Sequence, residues 1–314
     1  MRIAYSTNAF VKRSLADALR AVKALGFDAV EIVADAPHLF VPDVLRVARD
    51  PSVPPRDRRG GKTGKGRPPS AAAAPVVREV AALLAELALP VCNVNANTAR
   101  GTSDAKAGWT LSDPKTDSRL HAVRCVCGAV EIAAALGAPS VSVAGGPAAA
   151  HAKPAEGRML FLDSLTHVIR RAKDQRVRIG IEAEPGQVIG CTDDVEWCLT
   201  QLPDFWLGAN LDIGHCVVAG ENPVKSIRKL AGRIWNVHVE DIRGREHFHL
   251  VPGTGEIDFK AIVAALAAAK YDGCLTLELY TYPDAPEEAG RNGLQHLRAL
   301  VDAQIAGAKK PAPG

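Results

Sequence analysis

The 314-residue chain carries 38 Lys and Arg against 35 Asp and Glu, a formal charge of +3, with 47% hydrophobic and 23% charged residues. This is the balance of a soluble globular protein, long enough for one large domain or two medium ones. So thin a positive surplus does not supply the concentrated basic face that duplex nucleic acid requires. No run approaches the roughly 18 consecutive apolar residues of a membrane span. The opening MRIAYSTNAFVKRS lacks the apolar centre and small-residue cleavage site of a secretory signal. Seven cysteines, an odd number scattered along the chain, speak against a disulfide framework and for a reducing cytoplasm.

In chain order, short β-rich runs alternate with longer amphipathic or Ala-rich ones. A strand at 2–6 and a helix near 14–25 open the series, followed by a strand at 29–33 and a helix near 75–88. Next come strands at 90–95, 139–144 and 177–184, each followed by a helix, near 118–136, 157–174 and 192–201. Strands at 206–212, 233–240 and 273–280 alternate with helices near 221–230, 258–270 and 286–304. Eight strand–helix units over residues 1–305 predict an α/β fold, a single (β/α)8 barrel of parallel strands. No G-x-G-x-x-G follows the first strand, so the open dinucleotide-binding sheet loses its main support. One segment stands outside the repeat: 51–75, PSVPPRDRRGGKTGKGRPPSAAAAP, is dense in Pro, Gly and basic residues and predicts a mobile surface loop. Its GGKTGKG does not match the P-loop pattern, and no strand leads into it. The tail over 306–314 is expected to be disordered.

Strand alternation then sorts side chains between barrel interior and helix layer. Val177, Ile179 and Ile181 oppose Gly180, Glu182 and Glu184. Leu207, Ala209 and Leu211 oppose Gly208, Asn210 and Asp212. Trp235, Val237 and Val239 oppose Asn236, His238 and Glu240, and Leu275, Leu277 and Leu279 oppose Thr276, Glu278 and Tyr280. Four consecutive strands thus bring one potential ligand each, Glu182, Asp212, His238 and Glu278, toward the end where barrel active sites form. Three buried carboxylates with no cation but Arg178, low in the barrel, would be costly, and a metal is the simplest compensation. The mostly oxygen donor set suits Mn²⁺, Mg²⁺ or Co²⁺, and its imidazole also admits Zn²⁺.

Around these four, His215 in NLDIGHC is a second ligand or a substrate contact. His247 and His249, in REHFHLVPGTGEIDF, sit on a loop over the same rim, where Gly253 and Gly255 read as turn residues needing positive φ. Asn93, Asn95 and Asn97 share a face at the third strand end, and amides there suit sugar hydroxyls. Glu31 and His38 are candidate wall residues. Arg243 or Arg245 follows the seventh strand, where a phosphate or carboxylate would meet it.

The segments IGIEAEPG, NLDIGHC, NVHVEDIRG…HFHLVPGTGEIDF and LTLELY resemble the xylose isomerase-like TIM-barrel superfamily over nearly the whole chain except 51–75 and the tail. Its members include sugar and sugar-phosphate isomerases and epimerases, inosose dehydratases, hydroxypyruvate isomerases and endonuclease IV. The resemblance to the ketose 3-epimerase branch implies that Glu182, Asp212, His238 and Glu278 hold one divalent metal. It further implies that Glu182 and Glu278 are the acid/base pair acting through an enediolate of an α-hydroxyketone. The same resemblance places His215 against the substrate, a small sugar or cyclitol, and Asn95, Glu184, Arg243 and His247 are the further candidate contacts; the arginine and extra glutamate that those epimerases use around the sugar are not clearly matched here. Inosose- or dehydroshikimate-type dehydration on the same site is the alternative. An endonuclease IV-like activity on abasic DNA is the remote one: it would use His215 and His249 as ligands of a second metal, and the third and fourth strand ends lack the histidines it needs. The resemblance also implies a homodimer or tetramer.

Overall fold

The computed structural model describes residues 1–48, 71–96, 109–150 and 153–308. The expected mobile loop therefore lies outside the described residues up to position 70, as do Asn97 and the tail beyond residue 308. Ala71–Ala73 forms a 3-10 turn, and the last helix runs through the first residues of the expected tail.

Eight strands form a closed barrel: β1 (Arg2–Ser6), β2 (Ala29–Val33), β3 (Val91–Asn95), β4 (Ser140–Ala144), β5 (Arg178–Glu182), β6 (Leu207–Asp212), β7 (Ile234–Val239) and β8 (Cys274–Leu277). Each pairs in parallel with the next, and β8 closes on β1 through Arg2 opposite Cys274 and Tyr5 opposite Leu277. Parallel strands need crossover helices. Those described are α1 (Leu15–Leu25), α2 (Val41–Ala48), α3 (Pro75–Glu86), α4 (Thr116–Ala135), α5 (Pro154–Gln175), α6 (Thr192–Gln201), α7 (Ile213–Val218), α8 (Pro223–Lys229), α9 (Phe259–Ala268) and α10 (Pro286–Ala308). Local chemistry sets their ends. The Ser14 hydroxyl accepts from the Asp17 N–H at the start of α1, and Gly26, at φ 87°, closes it in the left-handed region. No described helix is long and apolar enough to cross a membrane.

The core lies between barrel and helices. Ile32, Ile179, Val237 and Leu277 on the strands are fully buried, as are Leu19, Ile132, Phe161, Leu165, Leu266 and Leu297 on the helices. Each such side chain contributes about 1.5–3 kcal/mol through burial. The barrel interior, by contrast, is polar at mid-height: Asn93, Ser140, Ser142, Asn210, Asn236 and Thr276 are all buried there and hydrogen-bonded to one another or to a neighbour.

One side chain departs from simple alternation. The β6–β7 register shifts between Ala209, opposite Ile234, and Asn210, opposite Asn236, leaving Trp235 as the extra residue. Its indole lies where a Cβ on the inward Gly208 would be only 2.2 Å from Nε1, and the Arg178 guanidinium stacks 4.4 Å over its ring. Trp235 therefore turns from the helix layer to the foot of the barrel, because the bulge resets the pleat at that residue. Above the bulge, Asn236 and His238 face inward as alternation requires.

Candidate metal centre at the barrel mouth

Glu182 ends β5, Asp212 ends β6, His238 lies on β7 and Glu278 follows β8 directly. All four are buried, and one potential ligand atom from each lies within 4.8 Å of the others. His238 Nδ1 is 2.7 Å from Glu182 Oε1 and 3.8 Å from both Asp212 Oδ2 and Glu278 Oε1. Asp212 also caps α7, its Oδ1 accepting the His215 N–H at 2.7 Å. Its other oxygen is buried without a partner in bonding geometry, as are both oxygens of Glu240 two residues beyond His238.

The electrostatics report an excess of negative charge. Burial pushes the Glu278 carboxyl up to about 8, with the charges of Glu182, Asp212 and Glu31 adding to it against His238. Burial and the Asp212 charge together hold Glu240 well above the usual carboxylate range. For Asp212 burial acts upward, but the charge of His215, together with Glu240, His249 and His238, outweighs it and brings the group down to about 2. Burial would lower His238, yet Glu31, Glu182 and Glu278 hold it well above the ordinary imidazole value. Four convergent donors short of positive charge, one of them an orphaned carboxylate oxygen, fit a divalent cation.

Above the donors, the mouth opens into a cavity of about 490 Å³, open solvent included, whose lining includes Asn95, Glu182, Glu184, His215, His247 and Glu278. Asn8, Val33, Asp35 and Tyr280 complete the wall. His215 Nδ1 donates to the Ala183 carbonyl at 3.0 Å, while its Nε2 lies 3.1 Å from His247 Nε2. Burial lowers His215, but Asp212, Glu184, Glu182 and Glu278 outweigh it and raise the ring to about 9. His249 Nδ1 donates to the Glu278 carbonyl at 2.6 Å, and burial brings that ring down to about 3. One nitrogen from each of His215, His247 and His249 falls within 4.8 Å of the others, a second group able to hold an ion.

Most of the expected site residues therefore converge, and Arg243 does not. It is exposed, donates to the Thr254 carbonyl at 3.0 Å and is absent from the cavity lining, because its loop folds back on itself beyond β7. Arg245 is likewise spent on the Val218 carbonyl. Gly253 has the positive φ expected of a turn, 93°, but Gly255 does not. Gly255 serves close approach instead: a Cβ there would lie 2.4 Å from Asp241 Oδ1. Behind the site stand Glu31, which the sequence placed only as a candidate wall residue, and Asp241, to which it gave no role. Glu31 accepts from His238 Nε2 at 2.7 Å. Asp241, next to Glu240, accepts the backbone N–H groups of Ile242, Gly253, Gly255 and Ile257. The two loop glycines were the only signal for Asp241, and the inward parity of Glu31 the only one for that residue.

Comparison with known proteins agrees with this architecture. The profile of the xylose isomerase-like TIM barrel matches residues 19–300. The chain belongs to that family. Within it, inosose dehydratase of Clostridium beijerinckii is 30% identical over 136 residues, 38% of this chain and 46% of that protein. The chain spans about half the length of the curated relatives it matches. Among solved structures, a D-tagatose 3-epimerase-like protein superposes with a TM-score of 0.74 at 20% identity, covering 97% of this chain and all of that one. IolI with a bound zinc atom gives a TM-score of 0.72 at 17% identity, covering 97% and 99%. Both share the family's fold, the closed eight-stranded parallel barrel expected from the motifs.

Proposed function

We propose that this chain is a divalent-metal-dependent isomerase or epimerase that moves the proton α to the carbonyl of a polyhydroxy ketone, a sugar or cyclitol. The observation that carries the reading is the convergence of Glu182, Asp212, His238 and Glu278 on one point beneath a polar cavity. A Mn²⁺, Mg²⁺, Co²⁺ or Zn²⁺ ion held there would polarise the ketone and stabilise the charge that develops on it. Glu278 reaches that point from the end of β8, where its carboxylate can take up or return the proton. Glu182 reaches the same point from β5, on a different wall of the barrel. A proton taken by one carboxylate and returned by the other inverts a stereocentre. A proton carried by one carboxylate to the adjacent carbon interconverts ketose and aldose. Asn95, Glu184, His215 and His247 line the cavity where hydroxyls would be read.

The likeness to inosose dehydratase favours a second reading, loss of water from the same deprotonated ketone. His215, which lines the cavity beside His247, would then protonate the departing hydroxyl. The same histidines with His249 are the candidate ligands of a second ion. Abasic-site cleavage has less support: β3 and β4 end in Asn95 and Ala144, and no described residue supplies an imidazole there.

The test is incubation of Mn²⁺-loaded protein in D₂O with a panel of ketoses and inososes, followed by NMR. Deuterium at the carbon α to the carbonyl, with an inverted centre or an aldose product, supports the main reading. Enone formation selects dehydration. Bound metal with no exchange into any ketone overturns both.

A further inference from the structure

His238 spends its two ring nitrogens on opposite sides. Nδ1 faces Glu182, Asp212 and Glu278, the proposed ligands, whereas Nε2 donates at 2.7 Å to Oε2 of Glu31, in the middle of β2. Glu31 is fully buried and does not belong to the four-donor group. It is held from several sides: the Asn93 amide donates to Oε2 at 2.8 Å and the Asn236 amide at 3.3 Å. Those amides are locked in turn. Ser140 donates to Asn93 Oδ1, Thr276 donates to Asn236 Oδ1, and Asn236 also donates to Asn210 Oδ1, each at 2.8–2.9 Å. The Asn210 amide nitrogen then lies 3.1 Å from His238 Nδ1.

A neutral imidazole carries one N–H and one lone pair. Only Nδ1 faces the donor group, so His238 can serve as a ligand only with its proton on Nε2 and its ring in this one orientation. We propose that Glu31 is the positioning residue of the metal centre, fixing the His238 tautomer and ring plane by accepting the Nε2 proton. The proposal rests on the metal reading above. A carboxylate in this place also raises the donor strength of the opposite nitrogen, and loss of such an outer partner typically lowers metal affinity about 10–100-fold. A side chain that merely filled volume would be replaced by Gln at no cost to the ion.

The test compares wild type, Glu31→Gln and Asn93→Ala. Mn²⁺ affinity is measured by titration calorimetry, and the His238 ring nitrogens are read by ¹⁵N NMR in Zn²⁺-loaded protein. Wild type is expected to ligate through Nδ1 with a single Nε2–H signal. Glu31→Gln is expected to bind Mn²⁺ about tenfold more weakly or worse and to lose that single signal. Asn93→Ala keeps both His238 and Glu31, is expected to weaken binding by a smaller factor, and carries the test alone if the Gln variant does not fold. Equal affinity and an unchanged ring signal in the folded variants overturn the role of Glu31 while leaving the metal centre standing. A wild-type protein that takes up no divalent ion overturns both.

Discussion

Replacing Asp241 by Asn should release the loop that carries His247 and His249. The carboxylate accepts four backbone N–H groups, those of Ile242 and Ile257 on Oδ1 at 2.9 and 3.0 Å, and those of Gly253 and Gly255 on Oδ2 at 2.9 and 2.8 Å. The Asp241 backbone adds a paired bridge to Leu250, with N···O distances of 2.7 and 2.9 Å. An amide offers one acceptor oxygen, so either orientation sets an NH₂ against two backbone donors. Hydrogen bonds to a charged group are worth about 1.5–3 kcal/mol each, so two of them set a ceiling of about 3–6 kcal/mol. Water reaching the partly exposed loop offsets some of that, and the expected net loss is about 2–4 kcal/mol. Urea unfolding of the metal-free protein measures it, and amide hydrogen exchange at Gly253 and Gly255 locates it. A change below about 0.5 kcal/mol, the range of an ordinary surface substitution, with exchange at both glycines still slow, would refute the pinning role.

Five further outcomes are expected. Gly255→Ala sets its Cβ 2.4 Å from Asp241 Oδ1 and 2.6 Å from the Ile242 carbonyl, and should cost about 1–3 kcal/mol by the same urea assay. Elemental analysis after Mn²⁺ loading and dialysis should give one ion per chain for the four-donor centre alone, or two if the histidine trio also fills. At a free-ion concentration about a hundred times Kd, binding should stabilise the fold by about 2.7 kcal/mol, a gain that chelation removes. Glu278→Gln should lower kcat about 10²–10⁴-fold on any substrate the exchange screen finds, and retained turnover would overturn its acid/base role. Arg298→Ala removes the 2.8 Å pair to Asp28. Burial there acts upward, but the Arg298 hydrogen bond and charge, with the Ile3 N–H, hold Asp28 below its ordinary value. The pair's contribution is therefore present at neutral pH and lost as acid protonates the carboxylate. The variant should be about 0.5 kcal/mol less stable near pH 7, the gap closing toward pH 3 in parallel thermal melts.

The barrel and the four donors were legible because both follow from a period of two. Ile179 and Ile181 against Gly180 and Glu182 fix a face without reference to any other strand, and the same holds for β6 and β8. The short elements were not legible. α7 consists of only six residues after Asp212, too few to show helical periodicity, and what starts it is a single cap, the Asp212 carboxylate on the His215 N–H. Trp235 was misplaced because a bulge depends on the facing strand, and nothing within the alternation of IWNVHV marks one. Arg243 failed for a related reason: a loop arginine's direction is set by whichever carbonyl lies within reach, here Thr254, and not by its distance from a strand end.

The partnership of Glu31 with His238 shows where such reading stops. The two residues lie 207 positions apart and on strands that are not neighbours, so only a closed barrel brings them face to face across its interior. Once they meet, the polar filling of that interior acquires a cause. Buried imidazole and carboxylate each need their hydrogen bonds satisfied, and an apolar interior of Val and Leu would leave them bare at a cost of several kcal/mol. Asn93 and Asn236 donate to Glu31 Oε2, the oxygen that faces His238, and Ser140 and Thr276 fix those amides in turn, so that little freedom remains at His238. Packing that would otherwise have served stability alone thus sets the direction of one nitrogen lone pair, and through it the geometry of the site above.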